Sequence, residues 1–227
     1  MQSVSIIIPV FNEEKIINTL ISDLRLKLIN SDHEIIVSDG DPKGSTIKRI
    51  KDRDIIKIIS RKGRSAQMNN GALKASKNVL LFLHADSILP KDFLSSVKNV
   101  IIDKNACAGA FDLKIDSCSF PLKIIEKSAS LRSRITKIPY GDQGIFIRKD
   151  IFDDLKGFSD IALMEDIDLM LRLKRKKYKI EITRQKIKTS SRRWEKEGIV
   201  YCTLRNLILS TLFYLGVDPS KLAEFYR

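Results

Sequence analysis

The sequence predicts an α/β fold built on a doubly wound sheet. Short runs rich in Ile and Val alternate with segments whose apolar residues recur at helical spacing, the strand–helix–strand order of such sheets. The strand-like runs are apolar on both sides of the chain, as expected of strands covered on two faces. Three of them run directly into polar or acidic residues, at the sheet edge where open α/β folds bind ligands.

The first strand is VSIIIPV (4–10), with Pro9 marking its end. Asn12 is placed to cap a following helix, and Glu13 and Glu14 suit its positive end. Ile16, Ile17, Leu20, Ile21, Leu24 and Leu28 give that helix one apolar face. EIIVS (34–38) is a second strand, ending at Asp39-Gly40-Asp41, and DIIKIIS (54–60) a third. Residues 65–76 read as a helix, and VLLFL (79–83) is a fourth strand that runs into His84-Ala85-Asp86. Beyond Pro90 the pattern changes. A helix near 92–102 precedes a strand around 108–115, then a basic stretch, 123–137, with Arg132 and Arg134. Glu165 and Asp166 precede a helix in which Ile167, Met170, Leu171 and Lys174 fall at helical spacing. The apolar run 199–217 is a helix bracketed by Gly198 and Gly216, with Pro219 as its stop. No repeat or low-complexity linker divides the chain. Residues 1–227 are therefore expected to form a single domain: halves 1–105 and 106–190 fused, with a tail, 191–227.

With 43% hydrophobic and 30% charged residues the chain has material for a core, which excludes wholesale disorder. A formal net charge of +13 favours an anionic partner, whether phosphates of a small molecule, acidic lipid headgroups or nucleic acid; solvated lysines that keep an isoleucine-rich chain soluble explain it equally. Cys107, Cys118 and Cys202 form no CxxC pair, which argues against a disulfide framework and fits a reducing, cytoplasmic setting. They also make a poor zinc site, since only His33 and His84 are available to join them. MQSVSIIIPVF has no basic n-region, and its apolar run is too short for a signal peptide. GxxxxGK[ST] is absent, and no GxGxxG follows the first strand, which disfavours P-loop and ordinary dinucleotide enzymes.

A phosphate-bearing ligand can still be held through a divalent metal, which uses few carboxylates and fills its shell with phosphate oxygens and water. Asp86, at the mouth of the fourth strand, is placed for that, and His84 points to the same side of the extended chain. The competing reading is that His84 caps the strand and Asp86 the next helix. Glu165 and Asp166 face a similar choice: ordinary dipole partners in a first helical turn, or a general base acting on a hydroxyl. Asp168 with Arg172 makes an i,i+4 pair.

Seven ordered segments, SIIIPVFNE, EIIVSDGD, GRSAQMNNGA, LLFLHADS, PYGDQGIFIR, LMEDIDL and RRWEKEG, cover most of the chain. Together they resemble the family 2 glycosyltransferases of the GT-A fold, and within them the small bacterial "transferase 2, rSAM/selenodomain-associated" subgroup. The resemblance implies a Rossmann-like mixed sheet flanked by helices with a C-terminal helical tail. It implies an inverting transferase that moves a sugar from a nucleoside-diphosphate sugar to a hydroxyl acceptor. On that resemblance 1–105 is the nucleotide-sugar-binding half and 106–190 the acceptor and catalytic half. Pro9, Asn12 and Glu13 would line the nucleotide pocket, Asp39 would accept a hydrogen bond from the base, and Arg64 and Asn70 would approach the nucleotide or its phosphates. His84-Ala85-Asp86 falls where the family has Asp-x-Asp, so Asp86 would take Mg2+ or Mn2+. Asp142, Gln143, Glu165 and Asp166 would line the acceptor side with Asp166 as base, and Arg193-Trp194 falls where many relatives have Gln-x-x-Arg-Trp. Two departures stand out: His84 replaces the first Asp of Asp-x-Asp, and Ser190 replaces the Gln, which speaks against processive synthesis.

The run 199–217 carries one charge, Arg205, near its middle, where a spanning helix would be penalised. It reads as a helix packed on the domain, a helix on an anionic membrane surface, or a dimer contact. A peripheral enzyme acting on a lipid-linked acceptor follows from the second of these. SSRRWEKEG reads either as an acceptor or phosphate contact or as an amphipathic turn with solvated arginines. Three other classes compete. A nucleic-acid binder rests on KRKKYK, but that run lies in a helix's last turns and lacks interleaved aromatics. A nucleotidyltransferase needs a glycine-rich basic loop after the first strand, which PVFNEEK does not supply. A catalytically inactive scaffold rests on His84.

Overall fold

The computed structural model describes residues 3–226. Met1 and Gln2, the start of the stretch read for a leader, lie outside them. Eight strands form one mixed sheet in the order β3-β2-β1-β4-β7-β6-β8-β5. They are β1 (Val4–Val10), β2 (His33–Asp39), β3 (Ile56–Ile59), β4 (Val79–Phe82), β5 (Ser87–Ile88), β6 (Ala108–Asp116), β7 (Phe146–Arg148) and β8 (Ile180–Ser190). The first four are parallel neighbours, as the sequence predicts. β7 breaks the pattern: it runs antiparallel to both β4 and β6, while β6 and β8 are parallel with an irregularity between Ala110 and Asp112.

The helices are α1 (Ile17–Lys27), α2 (Arg64–Lys74), α3 (Phe93–Lys98), α4 (Phe120–Thr136), α5 (Lys149–Asp154), α6 (Glu165–Arg175), α7 (Arg192–Glu197), α8 (Ile199–Tyr214) and α9 (Pro219–Phe225). Strand alternation splits the core into two layers. Ile6, Ile8, Ile35 and Val37 face one layer with Leu24 and Phe93. Ile7 and Ile36 face the other with Phe82, Phe152 and Leu173. On that second face α2 lies close against β1, because Gly71 has no side chain: a Cβ there would stand 2.4 Å from the Ile7 side chain.

Three local expectations are corrected, and one stretch with no expected element gains one. Asn12 does not cap a helix; it sits at φ 58°, a left-handed turn that asparagine tolerates, and α1 opens only at Ile17. Glu13 and Glu14 therefore stand outside α1, whose first turn holds no acid. The basic stretch 123–137 is mostly helix, α4. The 92–102 helix is α-helical only to Lys98 and continues as a wider turn from Asn99 to Asp103. Pro219 does not end the chain's helices; it opens α9, where Asp218 accepts a hydrogen bond from the Ser220 amide at 2.7 Å.

Candidate active site

A cavity of about 180 Å3 opens beyond the carboxyl end of β4. Its acidic wall comes from three segments distant in sequence. β4 delivers His84 and Asp86, and the following β5 pins that turn by pairing with Thr189 and Lys188 of β8. A tight turn, Gly141–Gln143, delivers Asp142. The first turn of α6 delivers Glu165 and Asp166, after Met164 in a left-handed conformation, φ 68°.

The three segments meet at Gly141. Its amide donates to Asp166 Oδ2 at 2.5 Å, while Asp166 Oδ1 accepts from the Ile167 amide at 2.8 Å. A Cβ on Gly141 would lie 3.1 Å from His84 Nε2 and 3.3 Å from Asp166 Oδ2, so glycine lets ring and carboxylate close on one backbone point. The turn is fixed from below by Gln143, whose amide donates to Phe111 O and Ser133 Oγ, each at 2.9 Å.

Charges are crowded here. Burial pushes the Glu165 carboxyl up to about 7, helped by Asp166 and opposed by Arg64. Burial likewise raises Asp142 to about 6, with Arg132 opposing and Asp166 and Asp86 adding. His84 is driven down to about 3 by burial and by Arg64 and Arg193, so it is a neutral imidazole near pH 7. Arg64 and Arg193 line the cavity, and Arg132 lies against the ring of Tyr140, 3.3 Å from its centroid.

Of the residues singled out in the sequence, Arg64, His84, Asp86, Asp142, Glu165, Asp166, Arg193 and Trp194 line this cavity. The others do not. Pro9 lies within β1, paired with Ser38, and Ala85 is buried in the core. Asn12 is exposed, and Glu13 reaches Arg192 at 3.5 Å while still feeling the charge of Asp86. Asn70 donates to Ser60 Oγ at 2.7 Å, and Gln143 is the turn anchor just described. Asp39 differs most from expectation: it is 0% exposed, and its oxygens accept from the amides of Asp41 at 2.9 Å, Thr46 at 2.9 Å and Ile47 at 3.2 Å. A carboxylate so enclosed shapes its loop.

Much of GRSAQMNNGA is scaffold as well. Gln67 bridges Val10 O at 2.7 Å and Ser38 O at 2.8 Å, tying the ends of β1 and β2. Asn69 pairs with the Phe158 backbone in both directions, which anchors the loop leading to Glu165. Among the lining residues the sequence reading missed are Tyr140 and Thr189, and two from the tail, Asn206 of α8 and Tyr226 after α9. The Tyr226 ring lies between Arg193 and Arg205, 4.8 and 5.1 Å from their guanidinium carbons. Trp194 Nε1 and Asn206 Oδ1 are buried without a partner among the described residues, leaving one donor and one acceptor at the cavity.

The donor set suits a divalent cation that completes its shell from a ligand. Asp86 offers a free carboxylate and His84 a neutral nitrogen, but no group of three or more His, Cys, Asp or Glu among the described residues holds a metal unaided.

The mixed sheet with its acidic cleft beyond β4 has the GT-A fold, shown by its likeness to solved glycosyltransferases. The structure superposes on the mannosyltransferase PcManGT of Pyrobaculum calidifontis, solved with GDP-Man and Mn2+, with a TM-score of 0.71 and 16% identity, covering 98% of this chain and 67% of that one. It also matches residues 1–349 of S. aureus TarS in complex with UDP, with a TM-score of 0.62 and 17% identity over 84% of this chain and 60% of that one. The chain belongs to glycosyl transferase family 2, whose model matches residues 5–155. It is 28% identical over 180 residues to a dolichol-phosphate mannosyltransferase of Pyrococcus furiosus, covering 72% of this chain. The chain spans about half the length of that curated relative, 47%.

Proposed function

We propose that the protein transfers a sugar from a nucleoside-diphosphate sugar to a hydroxyl acceptor with inversion at the anomeric carbon. One observation carries this: Asp86 and Asp166, from opposite halves of the chain, line one cavity flanked by Arg64 and Arg193. A divalent cation at Asp86, when bound, supplies charge stabilisation to the departing diphosphate. Arg64 and Arg193 add fixed positive charge beside the same leaving group. Asp166, aimed by the Gly141 amide, takes the acceptor's hydroxyl proton. The acceptor oxygen then bonds to the anomeric carbon from the face opposite the breaking phosphate bond, whose electron pair leaves with the nucleoside diphosphate. Glu165, with its raised pKa, is close to half protonated at neutral pH, which lowers the anionic charge beside Asp166.

GDP-mannose and UDP-linked sugars are the donors to test first, and a lipid phosphate the first acceptor, because the similar structures hold GDP-Man and UDP and the similar sequence is a dolichol-phosphate mannosyltransferase. No helix among the described residues is long and apolar enough to cross a membrane. In the proposed reading the acceptor is lipid-linked and is met at the cytoplasmic face of a membrane.

The test is a nucleotide-sugar panel followed by thermal shift with and without manganese, then transfer by the donor that binds. Asp166→Asn retains donor binding and loses transfer by roughly 10²–10⁴-fold. Transfer by Asp166→Asn at the parent rate contradicts the assignment.

A further inference from the structure

Large apolar side chains are exposed on two helices that border the cavity. On α4 the exposed apolar residues are Phe120 (73%), Ile124 (54%), Leu131 (57%) and Ile135 (72%). Their spacing of four, seven and four places them on one stripe along the whole helix. Lys123, Lys127 and Arg134 fall on the adjoining stripe, at the same spacings. Arg134 is paired with Asp112, whereas Lys123 and Lys127 have no ion-pair partner among the described residues. α8 shows the same design without the cations: Val200, Leu204, Leu207 and Ile208 are exposed along one face that holds no charge. Its one charge, Arg205, is turned away and paired with Glu197 at 2.5 Å.

The two helices belong together. Leu122, Ile125 and Ala129 of α4 and Ile199 of α8 pack into one small apolar cluster with Trp194. Both reach the cavity: Arg132 of α4 stacks on Tyr140, a lining residue, and Asn206 of α8 lines it directly.

We infer that the exposed stripes of α4 and α8 are a docking surface for an anionic lipid bilayer, seating the cavity mouth at the headgroup level. This deepens the reading above, resting on it for the idea of a membrane-borne acceptor. An apolar strip with a basic margin is what an interfacial helix presents: side chains enter the acyl boundary while lysines meet acidic headgroups. The formal net charge of +13 draws the chain to such a surface. A second copy of the chain fits less well. An antiparallel two-fold contact through α4 would line Lys123 and Lys127 of both copies along one edge of the seam, and the helix's one acid, Glu126, is already paired with Lys186 at 2.6 Å.

The test is flotation with phosphatidylcholine vesicles, with and without phosphatidylglycerol, read beside nucleotide binding and circular dichroism. The parent floats with the phosphatidylglycerol vesicles, and binding weakens with salt. Lys123→Glu with Lys127→Glu lowers vesicle affinity roughly tenfold or more. Ile124→Ser with Leu131→Ser, and Leu204→Ser with Leu207→Ser, each lower it as well; all three pairs alter exposed side chains and keep the parent's circular dichroism and nucleotide binding. Asp166→Asn floats like the parent, which separates this surface from the catalytic assignment. Equal flotation of all variants, or no flotation of the parent, overturns the inference. So does a lipid-independent dimer that the serine variants abolish.

Discussion

Asp39 ends β2 and Asp86 lies just beyond β4, and the two carboxylates have opposite fates. Asp39 closes β2 and is enclosed, bonded to the amides of Asp41, Thr46 and Ile47. Asp86 follows β4, remains partly open, and lines the cavity. The difference lies in what comes next in the chain. After Asp39, a turn through Gly44 at φ 62° folds back and offers its own amides. After Asp86, the short β5 strand leads away to pair with β8, so the turn's amides do not close over the carboxylate. The loop that follows each acid therefore decides how far its carboxylate is enclosed.

That contrast can be broken by mutation, and the largest effect belongs to the enclosed partner. Asp39→Ala strands three backbone amides in the interior and should cost about 3 kcal/mol. For a chain of this size that lowers Tm by about 6–12 °C, measurable by scanning calorimetry. Asp39→Asn, which keeps an acceptor oxygen, should cost about 1–2 kcal/mol. If Asp39→Ala instead melts like the parent and loses nucleotide affinity, the two aspartates have been assigned the wrong way round.

A pH series sharpens the acidic side of the comparison. Glu165 has its folded pKa raised to about 7 against a usual 4.5, so its contribution is fully present below about 4.5 and is lost as pH rises through 7. Glu165→Gln should therefore raise the Tm of the metal-free protein more at pH 8 than at pH 5. His84 has the opposite sign. Its folded pKa falls to about 3, so its contribution is present above about 6.5 and lost as pH drops toward 3. His84→Gln should flatten the acid limb of the same melting curve. The smallest stability effect is expected for Asp86→Asn, within about 0.5 kcal/mol of the parent, because its carboxylate is partly exposed and holds no loop.

The sequence made the strands legible because runs such as VSIIIPV and VLLF are buried on both faces, which leaves an uninterrupted apolar signal. The acidic wall was legible too, since Asp86 and Glu165-Asp166 stand at element ends. α4 was not. Its buried residues are Leu122, Ser130 and Ser133, so its inward face is largely polar and its strongest apolar stripe points outward. The left-handed Asn12 looked like a cap because asparagine serves both roles. The Asp218-Pro219-Ser220 run carried a helix-start signal, a capping acid before a first-turn proline, that its reading as a stop overlooked. The arrival of Asn206 and Tyr226 at the cavity depends on how α8 and α9 pack, through Leu209 and Leu222 against Leu163, a long-range contact with no local signature.

Calorimetric titration of the donor's nucleoside diphosphate into parent and Asp86→Asn protein, with and without Mn2+, tests the central claim most directly. Manganese should tighten binding to the parent at least tenfold and leave the variant unchanged, with equal melting temperatures for the two proteins. A variant that keeps the parent's full manganese dependence would contradict the account, because the open carboxylate would then not be the one that meets the metal.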